Sequence, residues 1–215
     1  LLSYPHCFAA GRESDGAIIL ISQYLNVNVI ANFIVKKYAS GAWTTLAEPY
    51  SASAGSGDKT TAFQSAIMDP ATGDVIIFAE ETTLFFGVNP PTTLVCYRLN
   101  ASDDTLDGPF TVDGDVEPGY VSVNRGPADL SGSQLMISWA NHYQDNSSAY
   151  AIHKVAFGDL SDLSTWTTTT VNATPDIRDG NSNSDGQTVY TAGVFVGSVP
   201  WVYYSTSYPT AFSRF

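Results

Sequence analysis

The chain has 215 residues, 44% hydrophobic and 13% aromatic, with 21 acidic side chains against nine Lys and Arg, for a net charge of −12 at pH 7. Phosphate-backbone binding needs clustered cations, and the longest basic run is Lys36-Lys37, so nucleic acid is excluded as a partner. No stretch reaches the length of an apolar membrane span, and the 17 glycines and 11 prolines suit short strands joined by turns.

Taken in chain order, the sequence falls into four repeats, approximately 1–58, 59–116, 117–172 and 173–215, which together make one domain. The first reads as strands SYPHCFAA, AIILISQ, VIANFIVKKYA and WTTLA, and the second as TAFQSAIM, DVIIFAE, TTLVCYRL and PFTVD. The third reads as YVSVNRG, SQLMISWA, AYAIHKVAF and TWTTTTV. The fourth reads as TPDIRDG, QTVYTAGVF, VPWVYYSTS and a short tail. A glycine-ended turn precedes the second strand each time, at Gly16, Gly73, Gly132 and Gly186, in steps of 57, 59 and 54 residues. Such a period marks a repeat architecture. β-Branched and aromatic residues dominate the strands, several second strands are apolar on both faces, and no stretch keeps a 3.6-residue period. The chain is therefore expected to be all-β, a β-propeller of four four-stranded blades that closes a small ring or forms part of a larger one. A β-sandwich of similar strand count is the alternative. The start at Leu1, without a signal peptide ahead of it, reads as a processed form or a fragment.

The chain resembles propellers of the sialidase/BNR-repeat type over essentially its whole length. In that family the turn between the third and fourth strands carries Ser-x-Asp-x-Gly-x-Thr-Trp. Here ASGAWTTL and GDLSDLSTWTTT keep Trp43 and Trp166 without the full pattern, and Phe110 takes the aromatic place in the second repeat. The resemblance implies a propeller, but the family's catalytic motifs are not matched. Arg12, Arg125 and Arg178 each follow a first strand, on the face opposite the usual active site, and read as solvated turn arginines paired with nearby Asp.

The face built by loops between second and third strands and by links between blades carries acids that suit glycoside hydrolysis: Glu80, Glu81, Asp113, Asp115, Glu117, Asp145 and Asp176. Nothing in their spacing separates a catalytic pair from solvating residues. The same face offers ligand-binding candidates: Phe85 and Phe86 in one loop, and His142, Tyr143 and Asp145 in another. Aromatics beside carboxylates and amides suit sugar rings or a protein surface. His6 and His153 fall within strands and read as structural.

Asp179, Asn181, Asn183 and Asp185 place oxygens at alternate positions of one loop, a pattern that suits Ca2+ and equally suits a plain turn. No other cofactor is expected. Cys7 and Cys96 fall in strands of different repeats, separated by ~10 Å between sheets plus two strand spacings of ~4.8 Å, so two buried, unpaired thiols are expected. Asn100, Asn146 and Asn172 head glycosylation sequons in predicted loops.

The function expected is an extracellular or virion-surface propeller module, as in a tail fibre, spike or surface appendage, that binds glycan or protein or assembles with identical copies. A glycoside hydrolase or lyase using carboxylates near the ring axis is one alternative, and a purely structural subunit of a filament or shell is another. Membrane insertion is not expected.

Overall fold

The computed structural model describes residues 7–25, 31–49, 59–83, 92–116, 122–144, 149–174 and 191–204. These residues form fourteen strands and no helix. They divide into two compact units, Leu1–Val116 and Glu117–Phe215.

In the first unit, β1 (Cys7–Arg12), β2 (Ala17–Leu25), β3 (Ala31–Ala39) and β4 (Ala42–Ala47) form one antiparallel sheet in chain order. A second sheet of the same order comprises β5 (Lys59–Met68), β6 (Val75–Thr83), β7 (Thr92–Leu99) and β8 (Leu106–Val116). Each sheet is thus a meander built from hairpins. The first hairpin turns at Asp15-Gly16, where Gly16 has φ 69° and donates its N–H to the Arg12 carbonyl at 2.9 Å. Gly73 repeats this arrangement with φ 81° and a 2.8 Å bond to the Asp69 carbonyl. Both positions need the left-handed region, which an L side chain enters at a cost.

The two sheets share a core. Ile19, Ile21, Phe33 and Val35 of the first meet Phe63, Val75, Ile77, Val95, Tyr97 and Leu99 of the second. Phe33 lies edge-on to Tyr97, with ring centroids 5.4 Å apart. Burial of each aliphatic side chain contributes on the order of 1.5–3 kcal/mol, so this apolar seam is the main force joining the sheets. The run Val75, Ile76, Ile77, Phe78 and Ala79 is buried throughout, as its lack of alternation predicts.

In the second unit, β9 (Ser122–Ser131), β10 (Gln134–Gln144), β11 (Ala149–Asp159) and β12 (Asp162–Thr174) form a third meander. A two-stranded hairpin follows, β13 (Thr191–Val196) and β14 (Val199–Tyr204). The hairpin stacks on the sheet through its inner face. A Cβ added to Gly193 would stand 3.1 Å from Met136 Cε, and the Phe195 N–H donates to Asp129 at 2.6 Å.

The hairpin falls in the fourth repeat. The sequence pattern makes these two strands second and third, after a turn at Gly186, a residue outside those described. In the structure they are joined by the two-residue turn Gly197-Ser198, with Gly197 at φ 66°. Gly132-Ser133, between the first and second strands of the third repeat, is the same kind of turn, with Gly132 at φ 62°. β13 lies against β9 and β10.

The cysteine expectation needs a correction. Neither cysteine is in a disulfide and Cys96 is buried, but Cys7 is exposed because it projects from the outward face of β1.

Candidate functional site

Most of the residues singled out by sequence are not brought together. Phe85, Phe86, Asp145, Asp179, Asn181, Asn183 and Asp185 lie outside the described residues, so the calcium loop has no described geometry. Among the described residues no group of three His, Cys, Asp or Glu is placed to hold a metal. His142 and Tyr143 are not in a loop. They belong to β10, opposite Ala151 and Tyr150, because the β10–β11 ladder runs unbroken to Gln144 and Ala149. Asn172 likewise lies in β12, opposite His153, rather than in a loop.

The candidate acids that are described are also strand residues. Glu80 and Glu81 sit in β6, opposite Ala62 and Thr61. Glu80 accepts a hydrogen bond from Gln64 Nε2 at 3.0 Å, and Glu81 pairs with Lys59. Asp113 is buried within β8. Asp115 falls in the same strand, while Glu117 and Asp176 lie outside the described residues.

Arg12 corrects the reading of a solvated arginine. It does pair with aspartate, but its side chain is buried, at 1% exposure. Nε and Nη2 donate to the two oxygens of Asp15 at 3.0 and 2.6 Å, and Nη2 also donates to Asp104 at 2.8 Å. Lys37 Nζ bridges the same two carboxylates at 2.8 and 2.7 Å. The bidentate Arg12–Asp15 pair is the stronger kind of ionic hydrogen bond. Hydrogen bonds from Arg12 and Lys37 hold the Asp15 carboxyl well below the usual carboxylate range. Burial pushes the Asp104 carboxyl up, but bonds from Lys37 and Arg12 outweigh it and leave it below its ordinary value. Two cations and two anions cancel. The cluster therefore offers no net charge to an anionic sugar, and it works as a strut between the first sheet and the β7–β8 turn. Arg125 is in β9 opposite Trp139, and Arg178 lies outside the described residues, so no arginine triad is assembled among the described residues.

A cleft of about 460 Å³ opens beside the strut, lined by residues of the β1–β2 and β5–β6 turns, including Glu13, Ser14, Asp69 and Thr72. Two of its polar groups, Asp69 and Thr72, are already engaged in turn formation. Asp69 accepts from the Ala71 N–H at 3.0 Å and from the Thr72 hydroxyl at 2.8 Å. The geometry there is that of an Asx turn rather than of convergent ligand donors.

A different surface stands out, one that sequence reasoning did not single out. On the outer face of the last hairpin, Val194 pairs with Trp201, Val196 with Val199, and Ala192 with Tyr203. Directly paired residues share a face. Trp201 is 51% exposed and Tyr203 59%, and Val194, Val196 and Val199 are exposed beside them. Residues 191–204 contain no charged side chain. The signal was present as alternation, Val194-x-Val196 and Val199-x-Trp201-x-Tyr203, but the inner face of the hairpin is equally apolar, so the pattern did not mark either face as open.

Comparison with known proteins found no matching family model and no curated protein similar in sequence.

Proposed function

We propose that the chain is a β-propeller-type module, its four-stranded meanders acting as blades, and that it works by binding a protein or glycan surface rather than by catalysis. The observation that carries this reading is the outer face of the β13–β14 hairpin, with its five exposed apolar side chains and no charge. A contiguous apolar patch on a chain of net charge −12 is unfavourable in water unless something covers it. The order of strands in each sheet and the stacking of sheet on sheet within each unit support the blade reading. The resemblance to sialidase-type repeats supports it from the sequence side. Against catalysis, Arg12 is neutralised by Asp15 and Asp104, and Glu80 and Glu81 are engaged by Gln64 and Lys59. A surface role of this kind suits an extracellular or virion-surface setting.

The test is a glycan-array screen run beside chromogenic glycoside turnover, each with calcium and with a chelator. Binding without turnover is expected. Turnover that is lost on replacing Glu80 or Asp113 would overturn the reading in favour of a glycosidase. Chelator-sensitive binding would assign Ca2+ to the Asp179–Asp185 loop.

A further inference from the structure

All seven exposed large apolar side chains among the described residues lie on two sheet faces. Five are on the outer face of the β13–β14 hairpin. The other two, Ile18 and Trp43, are on the face of the first sheet that points away from the second. There Gly11 pairs with Ile18, Ile18 with Tyr38, and Tyr38 with Trp43, and one row along Ala9 pairs with Leu20. Cys7, Ala9 and Gly11 make the β1 edge of this face a strip of small, exposed residues. Neither face is covered by the other described residues of its unit.

We propose that these two faces are the halves of one head-to-tail interface, the hairpin of one copy docking on the outward face of the first sheet of a second copy. The proposal rests on the binding-module reading and names the partner. Relief matches: bulky Trp201 and Tyr203 on one side meet the small strip of β1 on the other. Small-against-large packing already stacks the hairpin inside its own unit, where Gly193 receives Met136. Charge points the same way. Two copies at −12 repel one another, yet the hairpin face has no ionisable carboxylate, and the first-sheet face carries Lys36 with Glu48 held at its margin by the Tyr24 hydroxyl. These are the surfaces through which like copies approach without opposing acids. Because both halves belong to one chain, no foreign protein is needed to account for either. Interfaces between permanent copies are apolar in this way.

The test is sedimentation velocity over a concentration series on the full chain, on Trp201→Glu, on Ile18→Glu, and on an equal mixture of the two variants. Both positions are exposed, so folding is expected to survive, and circular dichroism checks it; Tyr203→Lys replaces the hairpin variant if it fails, and Trp43→Glu the first-sheet variant. The wild type is expected to self-associate, more strongly as salt screens its net charge. Each variant is expected to weaken association by more than about 30-fold. The mixture is expected to recover a dimer, because each variant keeps the half that the other has lost. A wild type that stays monomeric at high micromolar concentration would overturn the proposal. So would association abolished by Trp201→Glu yet indifferent to Ile18→Glu, which would mean hairpin against hairpin. Monomers that bind glycan without turnover would defeat this inference alone. Turnover would defeat the functional reading and leave the association result standing.

Discussion

Arg12 Nη2 lies 2.8 Å from Asp104 Oδ1, joining two residues 92 positions apart and tying the first sheet to the second outside their apolar seam. Asp104 reaches it from a turn in which its own backbone is left-handed, at φ 60°. Asp and Asn tolerate that conformation better than other non-glycine residues. Asp104→Asn therefore removes the charge while keeping the turn, and leaves the buried Arg12 with Asp15 as its remaining carboxylate. A loss of about 2 kcal/mol is expected in chemical denaturation, since a half-buried ionic partner is removed from a buried guanidinium that stays in place.

The same strut sets an acid limit. Both Asp15 and Asp104 are held below their ordinary values in the folded chain. Depressed carboxyl values mean that the unfolded chain binds protons first. Their contribution is thus complete above the unfolded value of about 3.9 and is lost as pH falls through the lower folded values. Denaturation midpoints of the wild type should hold steady down to about pH 5 and drop below about pH 4, with a shallower drop for Asp104→Asn.

A third prediction concerns the edge of the third meander. A Cβ at Gly158 would stand 2.8 Å from Cε3 and Cζ3 of Trp166, its partner on β12. The indole cannot easily retreat, because its Nε1 donates to the Leu163 carbonyl at 2.7 Å. Gly158→Ala should cost roughly 1–3 kcal/mol of stability. Adding Trp166→Leu should recover part of that loss, as a double-mutant denaturation cycle will show.

The thiols should behave differently from one another. Cys7 is exposed on β1 and Cys96 is buried in β7. A thiol reagent should label one cysteine rapidly in the native chain and the second only on unfolding. Cys7→Ser should abolish the fast phase.

Much of the β architecture could be read from local pattern. The turn glycines Gly16, Gly73 and Gly132 and the unbroken apolar run of β6 are short-range signals, and the structure carries them as expected. What failed depended on distance. Arg12 looks like a turn residue until Asp104 arrives from another sheet to help satisfy it in a buried position. Cys7 reads as a core residue because free cysteines usually are buried, whereas its side of β1 is the open one. His142 and Tyr143 have the composition of a loop, yet pairing with β11 continues through them. In the last repeat the pairing of Thr191 with Tyr204 and of Val196 with Val199 places a glycine turn at Gly197, one that the repeat pattern passes over.

The most direct measurement of the central claim is cross-linking with a short bismaleimide of a chain carrying Val196→Cys. Cys7 and the new thiol then mark the two apolar faces, and buried Cys96 stays silent. Covalent dimers and higher species that disappear with Cys7→Ser would support docking of the hairpin on the first sheet of another copy. Monomers alone, whether unlinked or bridged within one chain, would contradict it.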